Sequence, residues 1–128
     1  MPSNSKYLGG TLREIAAGAA ADIAYTDYID MEMYDACSLQ IEWTPGGGGG
    51  TLSTVIYGSI QDDTTAAASV VYQDITDAVI GAAAITGDAM VLDEGNVLGT
   101  VRHIKIISTI ANKDASTALT ILYRKKRG

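Results

Sequence analysis

The chain has 128 residues, enough for one domain with a core of useful size. Its formal net charge of -6 gives a body that repels nucleic acid and anionic membranes, so neither is expected as a partner. Cys37 is the only cysteine, which excludes an internal disulfide and fits a reducing compartment, and no apolar run approaches the roughly 20 residues of a membrane span.

The first third of the chain is the least regular. Residues 1–10 are mostly polar and end in two glycines, which predicts a flexible or extended N-terminal arm. Residues 11–25 carry apolar side chains at helical spacing, but Gly18 interrupts them, and two short strands are predicted rather than a helix. Residues 28–34 alternate strictly, which predicts a strand with three inward side chains, Ile29, Met31 and Met33.

Residues 36–62 have the pattern of a β-hairpin. Two alternating runs place apolar side chains on one face, Leu39, Ile41 and Trp43 in the first and Leu52, Ile56 and Ile60 in the second. The segment between them is predicted to be a flexible tip, because Pro45 cannot donate to a ladder and the glycines lack the Lys-Ser/Thr of a phosphate loop. As a loop that orders against a partner, it supplies five candidate partner-binding residues, Gly46, Gly47, Gly48, Gly49 and Gly50.

The second half of the chain continues the β pattern. Residues 70–80 are interpreted as a strand with Val71, Ile75 and Val79 as candidate core positions, and residues 82–92 as a second strand that is broken near residues 87–88. Residues 100–110 and 117–123 are stronger strands, separated by a polar turn. Seven to nine short strands predict one antiparallel β-sandwich over residues 11–123, jelly-roll-like, with a core formed by Leu39, Ile41, Trp43, Ile104, Ile106, Leu119 and Ile121.

No arrangement of residues indicates catalysis. His103 is expected on the surface of a strand and Cys37 as a small packed side chain, with no orienting partner for either, so the chain is interpreted as not an enzyme. One His and one Cys cannot build a zinc site, and no cofactor or metal site is predicted. The acidic clusters at residues 62–63, 74–77 and 93–94 are interpreted as solvated turn acids, with a calcium ion held by loop carboxylates as the alternative.

The last five residues, 124–128, are interpreted as a basic C-terminal tail. Four of the nine lysines and arginines lie there, on a chain that is otherwise acidic, and they are the remaining candidate partner-binding residues, Arg124, Lys125, Lys126 and Arg127. Either the tail is a solvated terminus, or it pairs with the acidic surface of a neighbouring copy or of another protein. Alanine supplies much of the hydrophobic content, which predicts a thin core supported by contacts between subunits.

Residues 37–43, residues 52–63, and residues 101–107 with the return strand 118–123 resemble small β-sandwich structural proteins of tailed bacteriophages. The second stretch looks like the family's strand that ends in a Gly-Ser-x-x-Asp type element, here Gly58 to Asp62. The motifs fall within residues 36–63 and 99–123, under half of the chain, and they mark β-geometry more than activity. The alanine-rich first third has no counterpart in the resemblance.

The resemblance implies a phage virion protein, synthesised in the host cytoplasm, with no catalytic residues. The short chain favours a capsid decoration (cement) protein that stabilises the head shell by binding the major capsid protein or other virion proteins. The resemblance also implies a homo-oligomer, a trimer because decoration proteins often sit at three-fold positions. A tail, neck or head-fibre component is the alternative within the virion. A carbohydrate-binding module, which would expose Trp43 or the tyrosines for stacking, is the alternative of another class.

Overall fold

The computed structural model describes residues 7–16, 23–61, 69–93 and 97–127. Within these ranges the chain forms eight strands, one short α-helix and one 3-10 helix. The strands are β1 (Tyr7–Ile15), β2 (Ile23–Asp30), β3 (Ala36–Thr44), β4 (Thr51–Ser59), β5 (Gln73–Asp74), β6 (Ala89–Asp93), β7 (His103–Ala111) and β8 (Ala118–Lys126). The α-helix is α1 (Thr76–Ile80), and the 3-10 helix spans Leu98–Thr100.

The strands form two antiparallel sheets of four, which confirms the predicted all-β sandwich. The first sheet, sheet A, has the order β1-β8-β3-β6, and the second, sheet B, has the order β2-β7-β4-β5. The first strand pairs with the last, the second with the seventh, the third with the sixth and the fourth with the fifth. This nested pairing, which alternates between two sheets, is the jelly-roll arrangement.

The core lies between the inner faces of the two sheets. Six of the seven residues predicted for the core are buried there, Leu39, Ile41, Ile104, Ile106, Leu119 and Ile121. Trp43 is half-buried and packs against the edge of this cluster, because β3 ends at the next residue. A pair of polar side chains lies within the apolar core, since the hydroxyls of Thr54 and Ser108 meet across β4 and β7 at 3.0 Å.

The predicted strand over residues 70–80 was wrong, because only β5 is extended and α1 follows it directly. Asp74 Oδ1 accepts hydrogen bonds from the backbone N–H and the hydroxyl of Thr76, which turns the chain, and the Thr76 hydroxyl oxygen accepts the backbone N–H of Ile56. Val71 is exposed rather than buried. The helix ends at Gly81, whose φ of 73° is left-handed.

Two other predicted inward residues lie just past the ends of their strands. Met33 follows the end of β2 and sits in a turn with a left-handed φ of 67°, so its side chain points to solvent. Ile60 follows the end of β4 and is 78% exposed. Apolar and polar residues continue to alternate beyond the ends of both strands. Backbone pairing with a neighbouring strand has ended there, so nothing directs these side chains toward the core.

Both ends of the described part of the chain belong to the sandwich. Residues 7–10 form the start of β1, and Tyr7 pairs with Lys126 at the end of β8, so the predicted arm was wrong for these residues, while residues 1–6 lie outside the described ones. Residues 124–126 are paired on both sides, by β1 and by β3, so the predicted tail was wrong there as well. Backbone hydrogen bonds to two neighbouring strands hold this segment in the middle of sheet A.

Candidate functional site

The glycine-rich loop between β3 and β4 is tied to the turn between β7 and β8. Gly48 donates its backbone N–H to Asp114 Oδ2 at 2.6 Å, and the Thr117 hydroxyl donates to the Pro45 carbonyl oxygen at 2.8 Å. Gly46 has a left-handed φ of 84°, and a Cβ there would collide with the Asp114 carboxylate. The loop predicted to order against a partner is therefore ordered by its own neighbouring turn.

The Asp114 carboxylate is the centre of this tie. Hydrogen bonds from the backbone N–H groups of Ser116 and Gly48 stabilise its charged form and lower its pKa below the ordinary value of 3.8. Because its carboxylate is hydrogen-bonded to backbone N–H groups of the turn and of the loop, Asp114 acts as a structural anchor for the loop.

The basic residues at the end of β8 point to different sides of sheet A. Lys125 turns inward and is only 8% exposed, and its Nζ donates to the Asp30 carbonyl oxygen at 2.6 Å while lying 4.3 Å from the Tyr34 ring centroid. Arg124 is exposed, with its guanidinium 3.8 Å from the Tyr7 ring centroid. Lys126 is on the outer face with Arg124. Lys125 is therefore not available to a partner, which corrects its place among the candidate residues.

The two predicted partner-binding sets lie at opposite ends of the sandwich. Thr44, which precedes the glycine-rich loop, pairs with Ala118, whereas Ala36 at the other end of β3 pairs with Lys126. A strand of nine residues spans about 30 Å. The glycine-rich loop and the basic residues therefore cannot form one contact surface.

Cys37 and His103 lie in different sheets. Burial raises the pKa of the Cys37 thiol to about 12, so it is a poor nucleophile at neutral pH. His103, expected on the surface, is buried at the start of β7. Asp93 is also buried rather than solvated, since its carboxylate accepts the backbone N–H groups of Val97, Leu98 and Gly99. Within the described ranges, no three metal-ligating side chains cluster.

The outer face of sheet A carries an apolar strip beside its basic residues. Met90 and Leu92 point outward from the edge strand β6, and Leu92 is 70% exposed. They line a shallow groove of about 230 Å³ with Leu122 and Arg124 of β8. This strip was not predicted from the sequence, because the strand predicted over residues 82–92 had no assigned neighbour or outward face.

The outer face of sheet B carries a cluster of tyrosines around one lysine. Lys105 on β7 pairs with Tyr28 on β2 and with Tyr57 on β4, so the three side chains form a row across the sheet. The ring of Tyr72, just before β5, lies 6.2 Å from that of Tyr28 between centroids. Burial raises the pKa of Tyr72. The alternating pattern could have placed Tyr28 on an outer face, but the row depends on strand register.

Comparison of the chain with models of protein families, with curated proteins and with solved structures finds no match. In the described part of the chain, no helix has the length and apolar character needed to cross a membrane.

Proposed function

We propose that this chain is a structural protein of a phage virion and that it acts as a capsid decoration protein. The observation that carries the proposal is the nested strand pairing, because the eight-stranded jelly roll is an architecture that viral capsid domains use repeatedly. The sequence resemblance to phage β-sandwich proteins supports the same function. The work of such a protein is mechanical, since it adds buried area at junctions between shell subunits.

The outer face of sheet A is the surface that suits attachment to the shell. Leu92 and Leu122 provide apolar area, and Arg124 and Lys126 on the same face provide positive charge. A stable contact buries about 800 Å² on each partner and places apolar groups at its centre. An acidic patch on a major capsid protein is therefore the complementary surface.

Self-association of the chain is the second part of the proposal. Among the described residues, strand β1 is an edge of sheet A and runs for nine residues, and Tyr7 and Leu8 are exposed on it. Such an edge favours pairing with another chain. The resemblance to decoration proteins favours a trimer. Analytical ultracentrifugation of the purified protein measures this directly, and a monomer at every concentration would refute the oligomer.

Mass spectrometry of gradient-purified phage particles from the source culture, followed by cryo-electron microscopy, tests the function. The expected result is many copies of the chain on the head, at regular positions of the shell lattice. Detection on the tail, neck or a head fibre would refute decoration and establish the alternative position. Absence from purified particles, with the protein present in infected cells, would overturn the virion proposal.

Binding to shells stripped of this protein tests the attachment surface. Leu92→Ser should weaken binding, and so should the double variant with Arg124→Gln and Lys126→Gln. Added salt should weaken the binding of the wild-type protein but have little effect on the double variant, because only the wild type carries the two charges that salt screens. Thr109→Ser, on the outer face of sheet B, is the control and should bind like wild type. Equal binding by all variants would show that sheet A does not face the shell.

A further inference from the structure

The tyrosine cluster of sheet B has the composition of a ligand platform. Tyr28 is 41% exposed, and Tyr57 and Tyr72 are half-buried, so parts of three rings reach the surface within one small area. The rings come from β2, β4 and the segment before β5, and β7 supplies the lysine at their centre. Pairing of β2 and β4 with the strand between them, β7, fixes the spacing of Tyr28, Lys105 and Tyr57, so little ordering is needed when a ligand binds.

Lys105 leaves its hydrogen-bonding capacity unused within this platform. Its Nζ lies 5.0 Å from the Tyr57 ring centroid and 4.7 Å from that of Tyr72. Among the described residues, it meets no hydrogen-bond acceptor and no carboxylate at ion-pair distance. The two rings hold the ammonium in place by cation–π attraction, with its N–H donors directed to solvent or to a ligand.

Acceptors flank the platform on the same face. Asp30 is two residues from Tyr28 along β2, and Asp74 pairs with Tyr57 across β5. Each carboxylate already accepts a backbone N–H, Asp30 from Glu32 and Asp74 from Thr76, and each keeps further lone pairs. Aromatic faces, a donor and two acceptors therefore lie on the same face of sheet B.

We propose that the outer face of sheet B binds an uncharged saccharide chain, with sugar rings against the tyrosines. The C–H face of a pyranose ring is apolar and packs on an aromatic ring, while its hydroxyls accept from Lys105 and donate to Asp30 or Asp74. Two neighbouring carboxylates and a net charge of -6 oppose a polyanionic sugar. This inference goes beyond the proposed function, since it uses the sheet opposite the proposed attachment surface.

A glycan array that carries neutral hexose oligomers and uronate oligomers provides the first test. Reproducible binding of neutral oligomers is the expected result. Binding of uronate oligomers alone would overturn the proposal of an uncharged ligand, and binding of no glycan would overturn the site. The best neutral oligomer from the array is then titrated into the protein by calorimetry.

Tyr28→Ala should weaken that affinity about tenfold, because an aromatic contact is worth up to about 1.5 kcal/mol. Tyr7→Ala is the matched control, since Tyr7 is 43% exposed but lies on sheet A, and it should bind like wild type. Lys105→Gln should also weaken binding. In the unaltered protein, the oligomer should shift the ring resonances of the three tyrosines in NMR spectra. Equal affinity of Tyr28→Ala and Tyr7→Ala, or unmoved ring resonances, would refute the site.

The two proposals fail independently. Tyr28→Ala should leave binding to capsid shells unchanged, and Leu92→Ser should leave binding to the neutral saccharide unchanged. Loss of both activities in either variant would contradict the assignment of one sheet to each partner.

Discussion

Replacing Lys125 by Met should destabilise the sandwich, while replacing Lys126 by Gln should not. The Lys125 ammonium donates to the Asp30 carbonyl oxygen and lies against the Tyr34 ring, so the substitution removes both interactions and keeps the apolar stem. A hydrogen bond from a charged group contributes about 1.5–3 kcal/mol, and a cation–π contact about 0.5–2 kcal/mol. The Met variant no longer has the desolvation cost of a buried ammonium, which offsets part of the lost stabilisation. The expected net loss in the free energy of unfolding is therefore about 2 kcal/mol.

Urea denaturation followed by circular dichroism measures this difference. A loss of about 2 kcal/mol corresponds to a fall in Tm of roughly 6–10 °C for a domain of this size. Lys126→Gln changes a surface charge on the same strand and should alter the free energy of unfolding by no more than about 0.5 kcal/mol. The loss in Lys125→Met should persist in 1 M salt, because a buried hydrogen bond is screened far less than an exposed ion pair.

If the two variants have the same stability within about 0.5 kcal/mol, the Lys125 side chain is solvated. Lys125 would then belong to one basic surface with Arg124, Lys126 and Arg127, as predicted from the sequence.

Three further predictions concern buried or anchored groups. Thr54→Val and Ser108→Ala should each lower the free energy of unfolding by about 1–3 kcal/mol, because each change leaves one buried hydroxyl without its partner. The double variant should lose less than the sum of the two, and additive losses in urea denaturation would contradict this. Cys37 should react with a thiol reagent only when the protein unfolds, and rapid labelling of folded protein would refute its burial. The folded pKa of Asp114 is lowered, so its stabilisation of the loop is present above its ordinary pKa of 3.8 and is lost as the pH falls through the lower folded value. The Gly48 amide resonance should report that titration below pH 3.8 and lose it in Asp114→Asn; a midpoint above 3.8 would disprove the tie.

Strict alternation was sufficient to predict the four strands at the centre of the two sheets. Leu39 and Ile41 on β3, and Leu119 and Ile121 on β8, are buried where a period of two places them. The pattern failed where side-chain hydrogen bonds determine the backbone. Asp74 and Thr76 turn the chain into α1, and no periodicity reveals that competition.

The candidate sites were harder to predict because they depend on register and on facing direction. Arg124 and Lys125 are neighbours in sequence and form one block of charge, yet alternation sends them to opposite sides of β8. The tyrosine row forms because Tyr28, Lys105 and Tyr57 lie opposite one another on neighbouring strands. That alignment is set by pairing between strands that are far apart in the sequence. A single sequence carries no direct signal for that pairing.

The pairing of β1 with β8 has a consequence for how the chain folds. The first and last strands join residues from opposite ends of the described chain, so this contact closes one of the longest loops available to it. Contact order is therefore high, and all-β domains of that kind fold in milliseconds to seconds. Because Tyr7 and Lys126 lie side by side, a short linker that joins these two residues and a break in the glycine-rich loop would yield a circular permutant of the sandwich. In that permutant β8 and β1 become a local hairpin, and the slowest closure of the native chain becomes one of the fastest.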